Sequence, residues 1–218
     1  IPFLIPFLIA MTIGPKLKWI KSNLKDKLYL VSLLVLSILL SLFIVKKFDT
    51  NFLINTILIS SALYLFLTTF RDFFIKKYNN ISQNVAHFGF SLLILSILFN
   101  NLFSTEIITN LKVGETYDSP ETKIVFESID QKQKKNYKSV VANFSVKRSN
   151  GIVENLSPEL RIYNQPNIVT SEADIKTSLI SDKFIVINIV KNQDYFNVRY
   201  QVKPFMLWIW MSVLLISF

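Results

Sequence analysis

Residues 81–103 read ISQNVAHFGFSLLILSILFNNLF, and the fold class turns on how this stretch is read. From Asn84 to Phe103 it contains no Lys, Arg, Asp or Glu. A membrane-spanning helix needs about 20 apolar residues, because the hydrocarbon core is ~30 Å thick and a helix rises ~1.5 Å per residue. Two more runs meet that requirement: LYLVSLLVLSILLSLFIV (28–45) and FLINTILISSALYLFLTTF (52–70). Three full transmembrane helices are therefore predicted. The chain opens at Ile1 inside IPFLIPFLIAMTI and closes at Phe218 inside MLWIWMSVLLISF, which predicts a partial helix at each end and a piece of a larger membrane protein. The 81–103 stretch also carries His87, the sole histidine of the sequence.

Charge placement supports the membrane reading and argues against nucleic acid. The 218 residues are 51% hydrophobic with net charge +9 and mean hydropathy +0.39. Ten of the 24 Lys and Arg, but only three of the 15 acids, fall outside residues 104–203. Most of the positive surplus thus flanks apolar runs. Short loops rich in Lys and Arg stay on the cytoplasmic side. The loops at 14–27 and 71–83 carry such residues, so residues 104–203 are placed outside, in the periplasm of a Gram-negative host. The turn KKFDTN (46–51) has two lysines and weakens the contrast. The sequence contains no cysteine, which excludes a thiolate nucleophile, a thiolate metal site and a redox dithiol within it.

Residues 104–203 change character. Runs rich in β-branched and aromatic residues predict strands at 122–129, 139–148, 151–156, 183–191 and 195–202, with clear alternation in 139–147 and 195–202. SNG (149–151) and KNQD (191–194) sit where hairpin turns are needed. SEADIKTSLI (171–180) reads as a helix, with Ser171 as N-cap and Glu172 and Asp174 in the first turn. The expected domain is a small antiparallel barrel or sandwich of five to seven strands, tethered by a helix at each end. The division is thus 1–103 transmembrane helices and cytoplasmic loops, 104–203 periplasmic β-domain, and 204–218 the start of a further transmembrane helix. Lacking histidine, cysteine and a glycine-rich loop, the β-domain reads as a recognition surface or support rather than an enzyme.

An ionisable side chain within a spanning segment is costly and usually functional. The imidazole of His87 can relay a proton, act as a hydrogen-bonded strut or bind a metal. It can equally sit near the membrane surface as a structural residue, since it is only a few residues into its helix. Gln83 and Ser91, four positions either side, share its helix face and are placed to orient the ring. Ala86 and Gly89 leave room for a flat cofactor or for a second helix.

Several blocks of the sequence resemble one family. AHFG (86–89), FSTE (103–106), LKVGE (111–115), SPELRIYNQPNIVTSEADIKTSLISDKFIV (157–186) and VRYQVKPFMLWIW (198–210) occur in the order seen in the C-terminal portion of the CcmF family of cytochrome c-type biogenesis haem lyase proteins, and GPKLKW (14–19) is similar to a cytoplasmic loop of that family. The resemblance implies a multi-pass protein of the bacterial inner membrane, or of an organellar one. It implies a protein that takes haem from a periplasmic haem chaperone for attachment to apocytochrome c, beside thiol-oxidoreductase and apocytochrome-binding maturation subunits. It further implies a b-type haem held in the membrane between two histidines, with His87 as one axial iron ligand and the other outside these residues. The family's tryptophan-rich haem-handling segment and its two outer histidines are missing here, so the 218 residues alone are not expected to be active. Leu207 stands where many relatives carry arginine. Trp208 and Trp210 read as an interfacial anchor.

Two further classes compete with a haem lyase subunit. One is a non-catalytic scaffold or permease-like protein whose β-domain binds a protein partner. The other is a proton-coupled transporter, which is disfavoured because the three charge-free runs contain no carboxylate.

Overall fold

The computed structural model describes residues 3–16, 24–46, 52–75, 81–149, 151–190 and 193–217, and it divides into two units. The first comprises Ile1–Leu102 and Phe205–Phe218, the second Phe103–Pro204. The basic segments 17–23 and 76–80 and the turn 47–51, which carry much of the orientation argument, lie outside the described residues. So do Asn150 of the SNG turn and residues 191–192 of KNQD.

The helical unit contains α1 (Leu4–Ile13), followed by a 3₁₀ turn at Gly14–Lys16, then α2 (Leu24–Val45), α3 (Phe52–Phe74), α4 (Ile81–Phe103) and α5 (Met206–Ile216). Among the described residues, three helices are long and apolar enough to cross a membrane, over Leu28–Val45, Phe52–Phe74 and Ile81–Phe103, while α1 and α5 are shorter apolar helices. A helix can cross lipid because its backbone polar groups are all satisfied internally. The same economy extends to its hydroxyls. On α3, Thr68 donates to the Tyr64 carbonyl at 2.8 Å, Ser61 to that of Leu58 at 2.9 Å and Thr69 to that of Leu65 at 2.8 Å. Ser41 of α2 reaches across to the Thr56 carbonyl of α3 at 2.7 Å. The small residues Ser60, Ser61 and Ala62 are buried, as close packing of helices in lipid requires. Leu8, Ala62, Leu65 and Leu95 form the apolar centre, drawn from α1, α3 and α4.

The second unit is an antiparallel sandwich. Its strands are β1 (Thr105–Leu111), β2 (Thr116–Asp118), β3 (Thr122–Gln133), β4 (Tyr137–Arg148), β5 (Val153–Leu156), β6 (Glu159–Asn164), β7 (Asn167–Glu172), β8 (Asp174–Thr177), β9 (Ser181–Ile189) and β10 (Phe196–Pro204). One sheet has the order β1-β10-β9-β8; the other runs β2-β3-β4-β6-β7, with β5 also paired to β4. Period-two alternation turns Val140, Ala142, Phe144 and Val146 of β4 inward, opposite Ile185 and Ile187 of β9 and Val198, Tyr200 and Val202 of β10. Burial pushes the Tyr200 phenol up to about 12. On the solvent side, the Glu106 carboxylate accepts hydrogen bonds from Gln201 Nε2 at 2.6 Å and from Arg199 Nε. These two donors, Gln201 foremost, hold the Glu106 carboxyl below the usual carboxylate range.

Of the barrel or sandwich expected, the domain is a sandwich. Two expectations are corrected. Among the described residues the domain has ten strands, not five to seven; β1, β2, β6, β7 and β8 are the additions. The predicted helix at 171–180 does not form. Residues 167–172 pair with β6 in the register Glu159↔Glu172 to Asn164↔Asn167, and residues 174–177 pair with β9, Asp174 opposite Ile185. Asp174, expected in the first turn of that helix, instead accepts the Ser157 backbone N–H at 2.6 Å. Cross-strand partners thus override a local capping signal worth only ~1 kcal/mol. The strands before and after SNG pair antiparallel, β4 with β5, and Gly151 has the positive φ of 79° that glycine allows.

Candidate functional site

His87 lies on the seventh residue of α4 and is partly buried. The three residues that follow each meet a different helix. Phe88 packs against α3, with ring centroids 5.0 Å from Phe66, 6.4 Å from Phe70 and 5.7 Å from Phe73. Gly89 faces α5: a Cβ placed there would stand 2.9 Å from Leu215 Cβ and 3.1 Å from the Ile216 backbone nitrogen. Phe90 meets α1, edge-on to Phe7 at 5.6 Å. A helix turns about 100° per residue, so these three contacts fix the rotation of α4. They leave His87 projecting from the arc between Phe90 and Phe88.

The Gly89 clearing has room for a second helix or a flat cofactor, and among the described residues α5 fills it. Any side chain at 89 must push α5 away. Gly89→Ala is expected to destabilise the helical unit by about 1–3 kcal/mol as overpacking, measurable as a lower midpoint when the detergent-solubilised protein is titrated with a denaturing detergent.

The supports expected for the His87 ring take other roles. The Ser91 hydroxyl, fully buried, donates to the Phe88 carbonyl at 2.8 Å, and Gln83 is exposed. No hydrogen bond between His87 and another described side chain is present. Nor do three His, Asp or Glu side chains converge into a metal cage among the described residues. What this chain offers iron is a single imidazole nitrogen on a rigidly seated helix. That fits one axial position of a haem, whose macrocycle supplies the equatorial donors.

Sequence reading missed a second polar feature. The loop predicted at 71–83 begins too early, because α3 continues through Phe74 and takes Arg71 and Asp72 with it. Lys16 Nζ lies 2.9 Å from Asp72 Oδ2, with both side chains almost completely buried (7% and 6% exposed). Beside it, the Arg71 guanidinium stands 3.4 Å from the centre of the Tyr29 ring, a cation–π contact. The charge-free runs hold no carboxylate, but α3 extends beyond 52–70 and brings in Asp72, already matched by a lysine. The available signal was FRDFF (70–74), where aromatic residues on both sides of the charges let the apolar face run on.

Comparison with known proteins extends these observations. Residues 102–204 match the family described as CcmF C-terminal beta-sandwich. Over 98% of its length the chain is 22% identical to the cytochrome c-type biogenesis protein CcmF of Escherichia coli, of which it covers 34%. It is 24% identical over 97% of its length to the protein of the same name from Haemophilus influenzae, covering 35% of it. A solved structure of "Cytochrome c Heme Lyase CcmF" superposes with TM-score 0.73 and 19% identity, over 99% of this chain and 38% of that one, and so shares the fold. The chain spans about a third of the length of these relatives. Apolar helices on either side of an antiparallel sandwich define the class, a multi-pass membrane protein with one inserted β-domain. Within that class, residues 102–204 match the CcmF C-terminal sandwich and nearly the whole chain is similar to CcmF proteins of cytochrome c-type biogenesis.

Proposed function

We propose that this chain is the C-terminal part of a cytochrome c maturation haem lyase subunit and that His87 is one axial ligand of a b-type haem in the membrane. The observation that carries the reading is the His87 ring itself: an imidazole inside a candidate span, on a helix locked by contacts to α1, α3 and α5, with its ring nitrogens uncommitted to any described side chain. Leaving a polar group uncompensated in such a place costs free energy; binding iron compensates it. A bis-imidazole haem supplies one-electron chemistry, with a potential tuned by ligand and burial. In this chain, α4 supplies the ligand and Phe88, Gly89 and Phe90 hold its azimuth. The second imidazole comes from sequence outside these 218 residues, which contain one histidine. The relatives' role in cytochrome c biogenesis supports the wider reading: haem received from a periplasmic haem chaperone, apocytochrome c as acceptor, and thiol-oxidoreductase and apocytochrome-binding subunits as neighbours in the inner membrane, with residues 104–203 on the periplasmic side.

The test is the visible spectrum of the purified intact protein against His87→Ala. The expected result is a Soret band with b-type α and β bands on reduction in the wild type, lost or shifted in the variant, with unchanged helix content by circular dichroism. A colourless wild type from a host that makes c-type cytochromes would overturn the proposal in favour of a partner-binding scaffold.

A further inference from the structure

The turn between β8 and β9 has an unusual composition for its position. Residues 178–181 read Ser-Leu-Ile-Ser. The turn is closed at both ends by the same two serines: the Ser178 backbone N–H and hydroxyl both donate to the Ser181 carbonyl, at 3.1 and 2.7 Å, and Ser181 N–H donates to Ser178 Oγ at 3.1 Å. Its two central residues, Leu179 and Ile180, are 70% and 71% exposed. Gly, Asn, Asp and Pro dominate the centres of tight turns because their backbone or side-chain chemistry suits both the bend and water. Two large aliphatic side chains held outward on a hydrogen-bonded tip gain nothing from water and are more stable out of it.

Strand register locates this tip within the domain. Ser181 is opposite Pro204 across the β9–β10 ladder, and Pro204 is the last residue of the domain before α5. Thr105, two residues after the end of α4, is opposite Val202 at the same end of the sheet. Neighbouring strands are ~4.8 Å apart and a strand advances ~3.3 Å per residue. Leu179 and Ile180 therefore project beyond the end of the sheet at which the chain passes to α4, a candidate membrane span, and to α5. Trp208 and Trp210 lie within two turns of Pro204, and tryptophan concentrates at the headgroup level of a bilayer. One cation stands near the tip without an acid opposite it in the register: the exposed Lys176 is two residues before Ser178, whereas Lys203 is opposite Asp182 across the ladder.

We infer that the β8–β9 turn is a lipid anchor, in which Leu179 and Ile180 insert into the interfacial region of the bilayer and tie the sandwich to the membrane surface. This does not depend on the haem reading. The occupant is lipid rather than a protein partner because the tip exposes only two aliphatic side chains and lies at the end of the domain joined to the spanning helix, beside Lys176.

The experiment places a nitroxide label on the intact protein, any cysteine elsewhere replaced, at Leu179→Cys, Ile180→Cys and Val113→Cys. Val113 is 50% exposed and follows Leu111, which is paired with Phe196 at the opposite end of the same sheet. The protein is reconstituted in vesicles of phosphatidylethanolamine and phosphatidylglycerol. Labels at 179 and 180 are expected to collide with oxygen several-fold more, relative to a water-soluble nickel chelate, than the label at 113. A ratio equal to that at 113 means solvent and overturns the inference. Protection from both colliders means a covering protein surface and overturns it equally.

Discussion

Replacing Asp72 with alanine will destabilise the helical unit by about 3–5 kcal/mol, because it leaves the Lys16 ammonium buried without its counter-charge. The two side chains are 7% and 6% exposed and 2.9 Å apart, so neither gains much from water. The guanidinium of Arg71, stacked on Tyr29, adds a second cation to the neighbourhood and worsens the imbalance once the carboxylate is gone. Lys16→Ala strands the carboxylate instead and is expected to be similarly costly. The double replacement Lys16→Met with Asp72→Leu separates the two contributions. Taking both charges out of water costs several kcal/mol per ion, so an apolar pair of similar volume is often neutral or stabilising by ~1–4 kcal/mol. Unfolding of the purified protein by a denaturing detergent, followed by circular dichroism, measures all three variants. Single variants near wild-type stability would show that the pair is wetted and contributes little. Recovery in the double variant would show that it holds the 3₁₀ turn after α1 against α3 by charge matching rather than by shape.

The same residues show where the sequence was legible and where it was not. The three spans were readable because lipid imposes one requirement, ~20 residues without charge, that needs no knowledge of partners. The end of α3 escaped that rule because Arg71 and Asp72 are tolerated in a helix only if Lys16 and Tyr29, more than 40 positions earlier, come to meet them. The long strands β3, β4, β9 and β10 were readable from alternation. The short ones were not: β2 has three residues and β8 four, too few to display a period. Residues 171–180 were misread as a helix because Ser171, Glu172 and Asp174 match a cap locally, whereas the ladders to β6 and β9 that decide the matter are tertiary. At the candidate site, the presence of His87 and the clearing at Gly89 were visible in AHFG. That α5 would enter the clearing was not, since the contact joins positions more than 120 residues apart.

Phe126→Ala is expected to have the largest effect in the β-domain, about 3–5 kcal/mol from lost transfer free energy and the cavity left behind. Phe126 is fully buried. Its ring stacks on Phe144 with centroids 4.4 Å apart and meets Phe196 edge-on at 5.8 Å, so the truncation removes the link between β3 and β4 of one sheet and β10 of the other. Its backbone is equally engaged: Phe126 N–H donates to the Glu115 carbonyl at 3.0 Å and its carbonyl accepts from Gly114 N–H at 2.7 Å, docking the turn before β2. The next residue, Glu127, is the extra residue of a β-bulge where the β3–β4 register shifts. The strand cannot slide to refill the space, because a slip of one residue would turn its apolar side outward. Domains of this size have only ~5–15 kcal/mol of stability in total. Amide hydrogen exchange on the intact protein should therefore show protection of β3 and β4 falling by about two to three and a half orders of magnitude, at ~1.4 kcal/mol per factor of ten. Ile108→Ala on β1, 61% exposed, should change protection little, since exposed substitutions stay within ~0.5 kcal/mol. If the two variants behave alike, the sandwich is not held by the inward faces of its sheets, and the assignment of Phe126 and Phe144 to its centre fails.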